Sequence, residues 1–339
     1  MKNMSVLGID IAKNVFQLHG LDDRGHAVLK KQLPRLKFAE FIANLPICLI
    51  GMEACSGSHH WARKFEKYGH TVRLIPPQFV KPYVKSNKND ALDAEAIAEA
   101  VSRPNMRFVP IKGIWHENVQ ALHRVRERLV HHRTALSNQI RGLLHEYGIV
   151  LPQGVSQLKK ELPFVLEDAT NELSDLVRDL FSRLLEELKV IEREIYTYDE
   201  KIMEIFRTNE VCQRISKIEG VGPLTSTAAV SAISDARLFK NGRALSAWLG
   251  LVPRQNSSGG KTVLLGISKR GNRYLRCLLV HGARSVLSLA QRKKDKKSLW
   301  LLEKRKTKGF NKACVALANK NARVIWALMS TGKEYRKAA

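Results

Sequence analysis

The chain has 339 residues, 57 Lys and Arg against 32 Asp and Glu, and a net charge of +25. That length allows two or three domains, and a hydrophobic fraction of 44% supports packed cores rather than wholesale disorder. No apolar run reaches the length of about 18 residues needed to span a bilayer. The start, Met1 to Val6, leads into a strand-like run with no signal-peptide apolar region, so a cytoplasmic protein is expected.

In chain order, residues 4–10, 15–21 and 27–33 read as three strands, with Asp22-Asp23-Arg24-Gly25 as a hairpin signal. A helix (36–44), a buried strand (47–52), a helix (58–68) ending at Gly69, a strand (71–75) stopped by Pro76-Pro77 and a helix (90–101) follow. This β-β-β-α-β-α-β-α order is that of a ribonuclease-H-like fold. The middle is helical. Leu122, Leu129, Leu136 and Leu143 recur every seven residues, and an apolar stripe from Leu173 to Ile205 steps by three or four. Pro152 and Pro163 fall in the connection between these stripes, which suit either an intramolecular hairpin or a dimerisation arm. Ile218-Glu219-Gly220-Val221-Gly222 reads as a helix-hairpin-helix turn whose glycines let backbone N–H groups approach a phosphate. Basic helical sequence is expected from about Ser268. The boundaries expected are 1–112, 113–206 and 207–339.

The charge is uneven. Residues 261–339 hold 21 Lys and Arg and three acids, Asp295, Glu303 and Glu334. Such an excess over a whole segment matches a nucleic-acid footprint. Cys48, Cys55, Cys212, Cys277 and Cys314 show no CxxC pair, so buried thiols in a reducing compartment are expected. The pairs His59-His60 and His131-His132 join no Cys cluster, which argues against zinc.

Against this basic background four acids stand out. Asp10 and Glu53 each end an apolar strand, where a charge is costly without a partner. Asp90 and Asp93, three apart, open a helix on one face, behind Lys88. Asp90 alone would serve as an N-cap. Together the four suit a Mg²⁺ site of two ions for phosphoryl transfer. Ser257-Ser258-Gly259-Gly260 is the second candidate. It reads in isolation as a flexible loop, but glycines let a serine approach a phosphodiester, and Arg254, Lys261, Lys269 and Arg270 surround it.

Several stretches carry a family resemblance. They are Gly8-Ile9-Asp10-Ile11-Ala12-Lys13, Met52-Glu53-Ala54-Cys55, Asn87 through Ala94, Ile218 through Gly222, and Trp248-Leu249-Gly250-Leu251-Val252-Pro253 through Ser257-Ser258-Gly259-Gly260 to Gly271. End to end, the chain resembles the DEDD-type transposases of the IS110 insertion-sequence family, most closely the IS1111 branch, relatives of the Piv DNA invertases. The resemblance implies an α/β RuvC-like N-terminal domain, a central coiled coil and a mainly helical C-terminal transposase domain with the helix-hairpin-helix. It places the metal-binding acids on Asp10, Glu53, Asp90 and Asp93. It places the nucleophile on Ser258, with Ser257 as runner-up. It implies nucleic-acid contacts around Lys88, Gly220, Gly222, Arg254, Lys261, Lys269, Arg270 and Arg273. Cutting and rejoining of DNA through a phosphoserine, guidance by a structured bridge RNA, and a homo-oligomer in which one protomer's acids serve another's serine would follow. The run Cys55 through Trp61 departs from the shorter turn of many relatives; local capping is the expectation for His59 and His60. A Holliday-junction nuclease using water, and a non-catalytic nucleic-acid-binding protein, are the alternatives.

Overall fold

The computed structural model describes residues 4–84 and 90–336, with the side chains of Asp90 and Ala91 outside that description. The chain divides into two compact units, residues 1–114 and 115–339.

The first unit is a three-layer α/β/α arrangement. Its strands are β1 (Met4–Ile11), β2 (Val15–Asp22), β3 (Ala27–Pro34), β4 (Leu49–Glu53) and β5 (Thr71–Ile75). They form one sheet in the order β3-β2-β1-β4-β5. β1, β2 and β3 pair antiparallel, while β4 runs parallel to β1 and β5 parallel to β4. Helices α1 (Arg35–Ala43) and α2 (Ser58–Lys67) cover one face. There Leu7, Ile9, Phe16, Ile50 and Met52 are buried among Phe38, Trp61 and Phe65. Phe16 stacks on Phe38 with ring centres 4.0 Å apart, and Trp61 meets both edge-on, a geometry aromatic quadrupoles favour. A short helix, α3 (Pro77–Val80), leads towards α4 (Asp90–Val101), which covers the opposite face. That face buries Ile75, Ile97, Ala100 and Val101 against Val6 and Leu49. Strand side chains alternate between faces, which divides Leu7 and Ile9 from Val6, Gly8 and Asp10.

The second unit opens with α5 (Ile114–His145), α6 (Val155–Glu167) and α7 (Asp175–Thr208). The leucine stripe packs within the chain: Leu129, Leu136, Ile140 and Leu144 are buried with Leu158 and Leu162 of α6 and with Phe181, Leu185, Leu188, Ile191 and Ile195 of α7. Arg126 pairs with Asp199 and His132 faces Glu187 at 3.2 Å, so α5 and α7 run antiparallel. Pro163 lies inside α6 rather than ending a helix. It sits in the last two turns, where losing one backbone donor does not stop four more helical residues.

Next come α8 (Glu210–Ser216), α9 (Pro223–Ile233), α10 (Gly242–Trp248), strands β6 (Pro253–Ser258) and β7 (Lys261–Ile267), and helices α11 (Arg273–Leu289), α12 (Lys296–Lys308) and α13 (Phe310–Thr331). Every residue of α9 from Thr225 to Ile233 is buried, which its Ala, Ser and Thr composition permits. The stretch read as a flexible loop is instead an antiparallel hairpin, with Ser258 paired to Lys261 across two residues. Gly259 and Gly260 both have positive φ, 54° and 76°, as a type I′ turn requires. Helix resumes at Arg273, five residues later than expected at Ser268.

Candidate active site

Two glycines set the first candidate site. A Cβ on Gly8 would fall 2.7 Å from the Ala98 Cβ, and closer still to the backbone of Ala94 and Ala98. A Cβ on Gly51 would meet the Val101 Cβ at 2.8 Å. Gly8 and Gly51 are partners across β1 and β4. Bare backbone on both strands, facing an alanine-rich helix, lets α4 lie directly on the sheet. Asp10 lies two residues beyond Gly8, and Glu53 two beyond Gly51. Period-two alternation therefore puts both carboxylates on the face that α4 covers, at neighbouring strand ends. Asp93 immediately precedes Ala94, the residue whose carbonyl meets Gly8. All three carboxylates are half-buried. Burial pushes the Glu53 carboxyl above its ordinary range, and the charges of Asp10 and Asp93 push it further. That mutual repulsion is the electrostatic mark of carboxylates gathered without enough positive charge between them. Asp90 begins α4; its side chain, like the whole of Lys88, lies outside the described residues. Among the described residues, no three His, Cys, Asp or Glu side chains form a closed metal cluster. The donor set of hard oxygens with a raised carboxyl fits a divalent cation such as Mg²⁺.

Ser258 belongs to the second unit. It ends β6 on an exposed hairpin. Residues opposite each other in an antiparallel pair share a face, so Ser258 shares one with Lys261, its partner, and with Asn256 and Val263. Ser257 points to the other face, where its Oγ accepts a hydrogen bond from Gln255 Nε2 at 2.8 Å. Arg254, Lys261, Lys269, Arg270 and Arg273 are all exposed around this hairpin or its base. Lys269 takes a left-handed φ of 55° in the turn that leads into α11.

The match to known proteins follows these landmarks. The family model described as "Transposase IS116/IS110/IS902 family" matches residues 212–298, and the DEDD transposase model of IS110 matches residues 7–149. The chain is 48% identical to "Transposase for insertion sequence element IS1111A" of Coxiella burnetii, over all of this chain and 93% of that protein. The chain belongs to the IS110 family of transposases. It is also 47% identical to "Probable family 20 transposase" of Pseudomonas aeruginosa, over 98% of this chain and 99% of that one. The "Transposase for insertion sequence element IS1328" of Yersinia enterocolitica is 38% identical over 99% of this chain and all of its own.

In this family member the turn between α8 and α9 uses its two glycines differently. Gly220 has φ +86°, and its missing side chain is filled by α11: a Cβ there would lie 2.8 Å from the Gly282 carbonyl oxygen. Gly222 is exposed, caps α9 and has open space beside it. Of the two, only Gly222 has open space where its side chain would be. Glu219 pairs with Lys293 and Lys297 at 3.2 Å each, and its carbonyl accepts from Asn321 Nδ2. In the stretch after Glu53, His59 Nδ1 accepts the Lys112 amide at 3.2 Å and Arg63 donates to the Lys112 carbonyl at 2.5 Å. The His60 ring meets Trp61 edge-on.

Gly8 and Gly51 are agents of the site that the sequence shows only indirectly. Their two-residue spacing from Asp10 and Glu53 was the available signal. The hairpin likewise has a sequence signal, a two-residue Gly-Gly turn followed by Lys261-Thr262-Val263-Leu264-Leu265.

Among the described residues, no helix is long and apolar enough to cross a membrane.

Proposed function

We propose that this transposase cuts and rejoins DNA by serine attack at Ser258, with Asp10, Glu53, Asp90 and Asp93 as ligands of a divalent metal site, two Mg²⁺ ions in the full reading. The observation that carries it is the gathering of Asp10 and Glu53 with Asp93 of α4, with the Glu53 carboxyl raised by burial and then by the charges of Asp10 and Asp93. The sheet order, three antiparallel strands followed by two parallel ones, supports a RuvC-like, ribonuclease-H-like assignment for this unit. Metal bound there would supply Lewis-acid stabilisation of charge on the phosphate oxygens.

Ser258 Oγ forms a bond to phosphorus as the P–O bond to the sugar breaks. The serine proton departs, and the leaving sugar oxygen takes one up. Attack by a strand hydroxyl on the phosphoserine reverses these steps and frees the serine. The phosphoester bond is kept throughout, so rejoining needs no nucleotide, in keeping with a sequence that has no GxxxxGK[ST] loop. Lys261, on the same face as Ser258, offsets the charge that develops on the phosphate. Arg254, Lys269, Arg270 and Arg273 hold the strands beside the hairpin. Gly222 offers α9 N–H groups to a phosphate. The basic segment 261–339 supports an extended polyanion, which we assign to element DNA and a structured bridge RNA. The proposed homo-oligomer lets one protomer's acids serve its partner's serine.

The test is a cleavage reaction of the purified protein with element-end DNA, Mg²⁺ and flanking transcript. Wild type and Ser257→Ala are expected to form a denaturant-resistant protein–DNA adduct, and Ser258→Ala to form none. Full-rate cleavage by Ser258→Ala would refute the serine mechanism in favour of water as nucleophile. Equal cleavage with and without the transcript would retire RNA guidance.

A further inference from the structure

We infer that Arg276 is a positioning residue for strand cleavage: its guanidinium pins the two roots of the β6–β7 hairpin and so sets where the serine turn is presented. The inference rests on the reading of Ser258 as nucleophile.

Arg276 lies in the first turns of α11 and is only 8% exposed. A buried guanidinium is costly unless its donors are satisfied. Here Nη1 donates to the Leu249 carbonyl at 2.9 Å and to the Arg270 carbonyl at 2.7 Å. Leu249 follows α10, ahead of β6; Arg270 follows β7. One planar group thus bridges the chain entering the hairpin and the chain leaving it.

The two roots also touch directly. Lys269 N–H donates to the Gly250 carbonyl at 3.2 Å and Ser268 N–H to the Val252 carbonyl at 2.8 Å. A Cβ on Gly250, which has φ +69°, would sit 2.5 Å from the Arg270 backbone, and one on Gly271 would overlap the Trp248 carbonyl oxygen. The root is therefore a close backbone clasp with Arg276 beneath it.

Beyond the clasp, every residue from Pro253 to Gly266 is exposed, so no side-chain packing orients the hairpin. Six strand residues make a lever of roughly 20 Å, so a tilt of about 10° at the root moves the serine by about 3–4 Å. A misplacement of about 1 Å is enough to cost roughly 100-fold in rate. Lys at this position keeps the charge but not the fixed fork of donors, and Met keeps the length without any donor.

The experiment compares full-length Arg276→Met and Arg276→Lys with wild type and Ser258→Ala. It reads thermal melting, affinity for element-end DNA, hydrogen exchange of the 250–270 segment, and the single-turnover rate of adduct formation. For Arg276→Met we expect affinity within about threefold of wild type, exchange at Ser268 and Lys269 faster by about tenfold or more, and an adduct rate down by about tenfold to 100-fold. Arg276→Lys is expected to recover part of that rate, and it carries the test if the Met variant does not fold. A folded variant with the wild-type adduct rate overturns the inference. So does a rate that falls only in proportion to the folded fraction. If neither variant folds, Arg276 is a general stability residue and the inference also fails. Adduct formation by Ser258→Ala would instead remove the nucleophile reading, and faster exchange at the root would still report the clasp on its own.

Discussion

Replacing Gly8 with Ala perturbs the proposed metal-binding acids without touching any of them. The new methyl group would lie 2.7 Å from the Ala98 Cβ and deeper still against the backbone of Ala94 and Ala98. Carbon atoms settle about 3.5–4 Å apart, and backbone cannot rotate out of the way, so α4 has to lift from β1 by about 1 Å. Overpacking of this kind costs about 1–3 kcal/mol. Asp93 adjoins Ala94 and travels with the helix, whereas Asp10 stays on the strand. A separation of that size lowers cleavage roughly 100-fold, while DNA affinity, set by cationic residues elsewhere, stays near wild type. Denaturant titration and single-turnover adduct formation measure the two quantities. Gly142→Ala is the control: Gly142 lies in the last turn of α5 with nothing near its missing Cβ, so the same substitution there is expected to leave stability unchanged or raise it by up to about 1 kcal/mol. A Gly8→Ala variant of wild-type stability and wild-type cleavage rate would refute the close seating of α4 as the device that gathers the acids.

Three further outcomes are expected. His123 is 2% exposed, with Nε2 3.0 Å from Thr227 Oγ1 and Nδ1 3.0 Å from Tyr274 Oη. Thr227 donates its own proton to the Pro223 carbonyl, so the neutral ring donates from Nε2 and accepts at Nδ1. Burial, then the Arg126 charge, pushes the imidazole down to about 4. The unfolded chain takes up this proton first, at about pH 6.5, so stability is full above that pH and falls towards pH 4, by about 2 kcal/mol at pH 5. Denaturant titrations at pH 7 and pH 5 should show a loss of that size beyond the one in His123→Gln, and equal losses would contradict the assignment. Asp10→Ala combined with Asp93→Ala, or chelation of divalent metal in wild type, should abolish adduct formation yet leave DNA affinity within about threefold, because phosphate contacts to cationic side chains supply that affinity. Unchanged transposition by the double variant would instead favour a role limited to binding. DNA affinity itself should fall about 10³–10⁵-fold between 50 and 200 mM salt, as for six to ten phosphate contacts; a flat salt dependence would remove the basic segment from the interface.

The first unit was nearly all legible in the sequence. Strands expected at 4–10, 15–21, 27–33 and 71–75 and the helix expected at 90–101 fall within about one residue of those observed, because Gly, Pro or Asp punctuates the chain near their ends. Pro163 misled because a proline near a helix end need not stop it. The hairpin was signalled by its Gly-Gly turn but not by its strands: with no buried face, β6 and β7 lack the polar–apolar alternation by which strands are usually found. At the candidate site, the types and spacing of Asp10, Glu53 and Asp93 are what the metal-binding proposal was first read from. Their convergence depends on Gly8 meeting Ala94 and Ala98, a contact between residues some 90 apart that no local pattern reports. Arg276 was equally silent, since a single Arg on a basic helix looks like any other surface charge.

The pairing of Gly8 with Gly51 also limits how this unit can be altered. Because faces alternate along a strand, deleting one residue between Gly8 and Asp10 would turn the carboxylate towards Phe16 and Trp61 rather than towards α4. Ile9 can therefore change identity more safely than the count of residues around it can change. The tip between β2 and β3 is under no such constraint: Asp23 to His26 are exposed, on the far side of the sheet order from β4, with open space beside Gly25. A label or fusion partner inserted there should leave the parity of β1 and β4 intact, which makes that turn the practical handle for tagging the protein.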